Sequence, residues 1–284
     1  MKIEFNNVDY SYSKKGTSAI KDINLSLDKN EITFILGATG SGKSTLVQHM
    51  NGLLYSKSGV VKVETGDNVY IVNKKLRNIK DVRRSVGMVF QSPENQLFEN
   101  TVLDDVMYGP LNFGVDEVGA KTSAVESLES MNVDESYHQK SPFKLSGGEK
   151  RKVAIAGVLA CKPQVLIFDE PTSNLDNKST REFFDLIQEL KNQGHMIIII
   201  SHNENLAYEY ADRILIMAEG NIIFDGNHID AFKDKIILDK ANIEIPFVAK
   251  VKERFELTQD VRNIKELAAL LGRESLWRWY LVST

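Results

Sequence analysis

The sequence predicts an α/β fold, and three observations carry that expectation. Short apolar runs, Ile32-Thr33-Phe34-Ile35-Leu36, Val165-Leu166-Ile167-Phe168 and Met196-Ile197-Ile198-Ile199-Ile200, read as buried strands of a parallel sheet. The first of them runs straight into Gly37-Ala38-Thr39-Gly40-Ser41-Gly42-Lys43-Ser44-Thr45, which fits the pattern G-x-x-x-x-G-K-[ST] and is followed by a helical stretch over 46–54. Between that unit and the second run lies a segment, 101–140, whose apolar residues recur at helical spacing.

The strand–loop–helix context gives the glycine-rich loop its chemical meaning: a P-loop NTPase core. Glycines let backbone N–H groups turn toward a polyphosphate, and the helix N-terminus adds partial positive charge. Lys43 supplies a full charge near the β- and γ-phosphates, and the Ser44 hydroxyl is placed to ligate Mg²⁺.

Residues 1–30 read as an N-terminal antiparallel β subdomain. Ile23, Leu25 and Leu27 alternate with Asn24, Ser26 and Asp28, giving one buried face. The partner strand spans 3–12, with a polar turn at Ser13-Lys14-Lys15-Gly16. Tyr12, at its end, can stack on a purine base or serve as an edge-strand aromatic. Residues 59–90 return to β structure over 59–63, 69–72 and 86–90. Gln91, just past the last run, can reach a metal or a water at the mouth of the sheet.

Val102, Leu103, Val106 and Met107 begin a helix that Gly109-Pro110 is expected to break, and 115–131 forms another. Ser146-Gly147-Gly148 then opens a helix carrying Val153, Ile155, Ala156 and Leu159, a second anion site compatible with a Ser146/Glu149 capping box. Lys150, Arg151 and Lys152 read as a solvated helix face. Next, 165–168 ends on Asp169-Glu170 at the carboxyl edge, where ligands of open α/β sheets bind. Asp169 suits Mg²⁺, and Glu170 is placed to polarise water as a general base. The strand 196–200 exits at Ser201-His202, where a histidine can donate to a γ-phosphate or orient water. His49, His138, His195 and His228 read as surface or helix-end residues without metal-ligand spacing. Residues 214–217 and 221–224 form a hairpin, and from about 228 the chain is helical and more polar. Trp277, Trp279 and Tyr280 close it with an interaction surface or a tail packed on its own domain.

Composition narrows the function class. A net charge of -4 argues against a nucleic-acid partner. The lone Cys161 points to a reducing compartment and a packed thiol. No run approaches the ~20 apolar residues that span a bilayer, so a peripheral role is expected.

Six elements in order resemble an ATP-binding cassette (ABC) nucleotide-binding domain over about 3–226. They are Tyr12, the 37–45 loop, Gln91, Leu145-Ser146-Gly147-Gly148-Glu149, Asp169-Glu170 and His202, with Ser173-Asn174-Leu175-Asp176 at the position of the family's D-loop. The Leu-Ser-Gly-Gly element is the most specific. The resemblance implies ATP and Mg²⁺ as cofactors, with Glu170, His202 and Gln91 catalytic and Ser44, Gln91 and Asp169 at the metal. It also implies a dimer in which Ser146-Gly147-Gly148 close on the partner's ATP. Glu149 departs from the family's usual Gln and adds negative charge there; Asn174 stands where a small residue is usual.

A narrower resemblance is to the ATPases of energy-coupling factor transporters. It rests on Val89-Phe90-Gln91-Ser92-Pro93-Glu94-Asn95-Gln96-Leu97-Phe98, on Val153-Ala154-Ile155-Ala156-Gly157-Val158-Leu159-Ala160, and on Tyr108-Gly109-Pro110-Leu111-Asn112-Phe113-Gly114, which is closer to the second ATPase type. It implies an importer of a vitamin or a transition-metal ion, acting at the cytoplasmic face of the cell membrane. Its partners would be a second, usually non-identical ATPase, a membrane-embedded coupling protein and a substrate-binding membrane subunit. The division implied is an ATPase domain over 1–226, with a helical subdomain at about 95–160, and a dimerising extension over 227–284. Another ABC transporter class, a non-transport ABC ATPase and a non-hydrolysing module are the alternatives; the absence of a heptad insertion and the presence of both Glu170 and His202 weigh against the last two.

Overall fold

A computed structural model describes residues 1–13, 17–28, 30–173 and 175–271. The end of the first expected turn (14–16), Asn174 and the Trp277/Trp279 tail lie outside the described residues.

β1 (Lys2–Tyr10) and β2 (Ile20–Leu27) pair antiparallel, with Ile3 opposite Leu27 and Phe5 opposite Leu25. β3 (Ile32–Leu36) leaves for the core and delivers the chain into α1 (Lys43–Met50). β4 (Ser58–Thr65) and β5 (Asn68–Ile71) complete a first sheet of order β2-β1-β4-β5. α2 (Ile79–Ser85) leads into β6 (Val86–Val89), and α3 (Val102–Asn112), α4 (Glu117–Ser130) and α5 (Gly147–Leu159) form the helical insertion. β7 (Val165–Asp169), α6 (Asn177–Asn192), β8 (Met196–Ile200), α7 (Glu204–Tyr210), β9 (Arg213–Ala218) and β10 (Asn221–Gly226) follow. The extension contributes α8 (Lys235–Ala241), α9 (Phe247–Arg254) and α10 (Ile264–Leu271).

The second sheet has the order β10-β9-β3-β8-β7-β6; β3 pairs parallel with β8 and β9, β7 with β6 and β8, and β10 folds back on β9 as the expected hairpin. Strands β3 and β6 to β9 are largely apolar and buried because both faces of the sheet are covered there, whereas the edge strand β10 is partly exposed. Phe34, Phe168, Ile197, Ile199 and Ile214 point to the helical side. Ile35, Ile167, Ile198, Ile200 and Leu215 point to α1 and the antiparallel sheet. A one-residue slip in any of these strands would exchange one apolar face for the other, so the register is set by how the particular side chains on each face pack rather than by a polar–apolar alternation.

Two local expectations are corrected. The Gly109-Pro110 pair does not end α3, which runs on to Asn112. Pro110 falls in the last turn, where only one ladder donor is lost, and Phe113 N–H still closes on the Gly109 carbonyl at 3.1 Å. Gly109 is there for proximity: a Cβ on it would lie 2.6 Å from Cys161 Sγ. The other is α2, which the apolar pattern hides because Val82 is its only buried residue.

The parallel order brings the C-terminal ends of β3, β7 and β8 to one sheet edge. The 37–45 loop, Asp169-Glu170 and His202 therefore meet there, as open α/β sheets require.

Candidate active site

All five residues of β3 are buried, so the strand is fixed and the loop leaves it from a rigid base. Gly37, Gly40 and Gly42 take φ of +143°, +82° and +108°. A side chain on Gly37 would run into the Met217 carbonyl, and a Cβ on Gly42 would sit 2.5 Å from the Ala19 carbonyl oxygen. These two glycines let the loop press against β9 and the start of β2. The hairpin turn secures it: Gly220 N–H donates to Ser41 O at 3.0 Å, and Lys21 N–H donates to Gly220 O at 2.8 Å. The ammonium of Lys43 curls over the loop and donates to the carbonyls of Gly37 (2.7 Å) and Ala38 (2.9 Å). Burial pushes its pKa down, while Glu170 and Asp169 act to hold it up.

Across the cavity stand the acids. Asp169 ends β7, and its carboxylate accepts a hydrogen bond from Ser44. Burial raises its pKa above the usual carboxylate value, with the Ser44 bond opposing and the Glu170 charge adding to the rise. Glu170 adopts φ +50°, a left-handed conformation that is rare outside glycine and marks a locally held backbone. What holds it is a small network: its N–H donates to Ile200 O at 3.0 Å, and its carbonyl accepts from Ser173 N–H (3.3 Å) and Ser173 Oγ (2.9 Å). Its Oε2 lies 2.8 Å from His202 Nδ1. The Glu170 side chain is 17 % exposed and that of His202 75 % exposed, so the histidine stands over the acid on the solvent side.

Tyr12 lies two residues beyond β1, not at its end, because the strand stops at Tyr10. Its hydroxyl is 3.0 Å from Thr45 Oγ1 and Tyr10 meets its ring edge-on, yet the side chain stays 65 % exposed. Gln91 is exposed just past β6 and faces the same cavity.

That cavity measures about 670 Å³, within the usual range for a small-molecule site. It gathers Tyr12, Thr39, Gly40, Gly42 and Lys43–Thr45 with Gln91, Asp169, Glu170 and His202. Gly37, Ala38 and Ser41 support the loop from behind. Thr17, Ser18, Ala19 and Ile200 also line it and are not singled out by the sequence; adjacency to the legible starts and ends of β2 and β8 is the signal that finds them. Ser44, Gln91 and Asp169 offer hydroxyl, amide and carboxylate oxygens, which suit a hard divalent cation that takes its other ligands from phosphate and water. Among the described residues no group of three or more His, Cys, Asp or Glu could hold a metal.

Ser146, Gly147 and Gly148 do not reach this cavity. Ser146 caps α5, accepting from Glu149 N–H at 3.3 Å, while its own N–H and Oγ donate to Glu149 Oε2 at 2.8 and 2.7 Å. A Cβ on Gly147 or Gly148 would meet nothing within 4 Å, so this backbone faces outward and open. Tyr137 also hydrogen-bonds Glu149.

Two readings of charged groups are corrected. His49, His138 and His228 are buried, at 0 %, 7 % and 3 % exposure. His49 is kept inside by a 2.7 Å contact of Nδ1 with Thr45 O and an edge-on meeting with Tyr10. Arg151 is not part of a solvated face: it is half-buried, with its guanidinium aimed at Ser173 O.

A profile of the ABC transporter family matches residues 20–173. The energy-coupling factor transporter ATP-binding protein EcfA2 of Lactobacillus johnsonii is 40% identical over 96% of this chain and 97% of its own length. The protein of the same name from Spiroplasma kunkelii is 41% identical over 94% and 90%. Among solved structures, cbiO1 of Clostridium perfringens, described as part of the ABC transporter complex cbiONQ, superposes with TM-score 0.72 at 36% identity, covering 88% of this chain and 98% of that one. The dimeric cassette MJ0796 bound to ADP and Pi superposes with TM-score 0.69 at 27% identity, covering 80% and 98%.

Proposed function

The chain belongs to the ABC transporter family and is an ATP-hydrolysing cassette of the energy-coupling factor class, and on that premise we propose how its own residues divide the work. The loop carrying Gly37, Gly40, Gly42, Lys43 and Thr45 holds the triphosphate of ATP, and Tyr12 stacks on the base. Ser44, Asp169 and Gln91 would hold Mg²⁺, whose chemistry there would be to neutralise phosphate charge. Glu170 accepts a proton from the attacking water as general base. His202, 2.8 Å from it, orients that water and donates toward the γ-phosphate. The observation that carries this reading is convergence: residues far apart in sequence, from Tyr12 to His202, line one cavity.

Ser146, Gly147 and Gly148 stand outside that cavity with open backbone, which supports their use on a second subunit's ATP. The working unit is then a pair of cassettes clamped by two nucleotides, and the partner is a second, non-identical ATPase. Hydrolysis opens the clamp, and a membrane-embedded coupling protein converts the motion into uptake of a vitamin or transition-metal ion held by a substrate-binding membrane subunit. No helix among the described residues is long and apolar enough to cross a membrane; a peripheral position at the cytoplasmic face is part of this proposal. Residues 1–226 form the ATPase and 227–284 the extension that holds the ATPases together.

Glu170→Gln tests the chemistry. It keeps ATP binding and cuts hydrolysis at this site at least ~10²-fold, as loss of a general base should. Near-normal turnover in a complex whose other site is silenced refutes the assignment. Recovery of the chain from native membranes with no membrane coupling protein refutes the transport reading.

A further inference from the structure

We infer that Arg151 is a positioning residue for hydrolysis, linking Glu94, in the turn after Gln91, to the turn that holds Glu170. The inference rests on the reading of Glu170 as general base.

Three elements meet at this side chain. Arg151 lies on the first turns of α5, and α5 packs against the 3₁₀ turn Pro93–Gln96 that carries Glu94. The guanidinium sends Nη1 toward the Ser173 carbonyl at 3.5 Å, the long end of a hydrogen bond. Among the described residues its Nε is buried without a partner, and so is Oε2 of Glu94. An arginine has five donors, and among the described residues one weak bond is made, while a buried carboxylate oxygen on the turn packed against α5 is unmet. Burial works against the Arg151 charge, and Glu94 is the acid whose charge supports it. Opposite charges buried close together without a direct bond gain by closing on each other.

The other end of the link is the catalytic turn. Ser173 donates through both N–H and Oγ to the Glu170 carbonyl, so the carbonyl that Arg151 approaches belongs to a closed turn with Glu170. That turn maintains the left-handed Glu170 backbone and, through it, the 2.8 Å approach to His202. Arg151 thus stands between two anchors, Glu94 and Ser173 O, and Glu94 steadies it for the second. Moving the 93–96 turn changes how firmly it holds the second. The same turn leads into Phe98, which with Tyr108 forms an exposed aromatic pair, 55 % and 49 % exposed, on the helical subdomain. A force applied at that surface reaches the base through one guanidinium.

The test is a double-mutant cycle on the full chain in its assembled complex, with the partner site silenced. Arg151→Met and Glu94→Gln each lower kcat about 10-fold while KM for ATP stays within about 2-fold, because a misplaced base slows chemistry without weakening binding. The double variant is no slower than Arg151→Met alone, and Arg151→Lys recovers part of the loss. Losses that multiply in the double variant overturn the link, as does wild-type kcat in Arg151→Met or a raised KM with kcat unchanged. Urea midpoints of the full chain identify a variant that fails to fold; Arg151→Lys with Glu94→Gln then completes the cycle under the same criteria. Glu170→Gln run alongside separates the two levels: normal turnover there overturns the base assignment and this inference with it, whereas an inactive Glu170→Gln beside multiplying losses overturns this inference alone.

Discussion

Replacing Gly42 by alanine tests whether the phosphate loop is shaped by packing as well as by its ligand. Gly42 has φ +108°, and a Cβ there would lie 2.5 Å from the Ala19 carbonyl oxygen. A comfortable contact needs roughly 3.4 Å or more, so the loop or the start of β2 must yield by about 0.9 Å in a close-packed setting. Holding a non-glycine residue at such a φ costs ~1–3 kcal/mol, and overpacking adds ~1–3 kcal/mol. About 3 kcal/mol is a conservative expectation for the nucleotide-free chain. At ~2.1 cal/mol/K per residue, a chain of 284 residues has an unfolding entropy near ~0.6 kcal/mol/K, so the midpoint falls by ~5 °C. Gly40 is the control. Its φ of +82° has the same sign, but a Cβ there meets nothing within 4 Å. Gly40→Ala should cost only the backbone part, ~1–2 kcal/mol, in the nucleotide-free chain, and lose ATP affinity because it lines the cavity. Urea unfolding measures the first quantity and equilibrium ATP binding the second. Equal urea midpoints for wild type and Gly42→Ala refute the packing argument, whatever happens to binding.

Asp169→Asn should abolish the Mg²⁺ dependence of ATP affinity while leaving the metal-free chain as stable as wild type or more so, read by urea midpoints with and without Mg²⁺. The sign follows from burial: the folded-state pKa of Asp169 is raised, so the folded chain binds the proton more tightly, and stability falls as pH rises from the unfolded value through the folded one. Ionised Asp169 is therefore a cost of folding at neutral pH, and a destabilised Asp169→Asn chain contradicts this. His49 gives the opposite case. Burial lowers its pKa below the ordinary imidazole value of about 6.5, so the unfolded chain takes up the proton first; its contribution is fully present above about pH 6.5 and is lost as pH falls below it. His49→Gln should flatten the loss of urea stability between roughly pH 6.5 and 5, and an unchanged pH profile counts against a buried neutral imidazole.

The site was legible because its residues sit where two signals coincide. Lys43, Asp169, Glu170 and His202 each follow an apolar run, and strand ends in a parallel sheet converge on one edge. The hairpin, the antiparallel sheet and the α5 capping box were legible through alternation and local side-chain chemistry. What escaped depends on neighbours remote in sequence. Gly109-Pro110 reads as a break until Cys161 is brought against it. His49 reads as polar surface until Tyr10 and the Thr45 carbonyl enclose it. Arg151 reads as a solvated charge until the 93–96 turn and Ser173 close over it. α2 carries one buried valine among charged residues, too little periodicity to register.

The strand order has a consequence for the chain as it is made. β3, every residue of it buried, pairs only with β8 and β9, which begin at Met196 and Arg213. Synthesis at ~5–20 residues per second leaves roughly 10–35 s during which this apolar strand has emerged and its neighbours have not. For that interval both its edges are unpaired, the condition in which strands join the wrong chain. The antiparallel sheet can set early, since β1, β2, β4 and β5 all arrive by Ile71. The nucleotide loop cannot, because Gly220 must arrive to donate to Ser41. Nascent chains shorter than about 220 residues should therefore depend on ribosome-associated holding factors and remain unable to retain ATP.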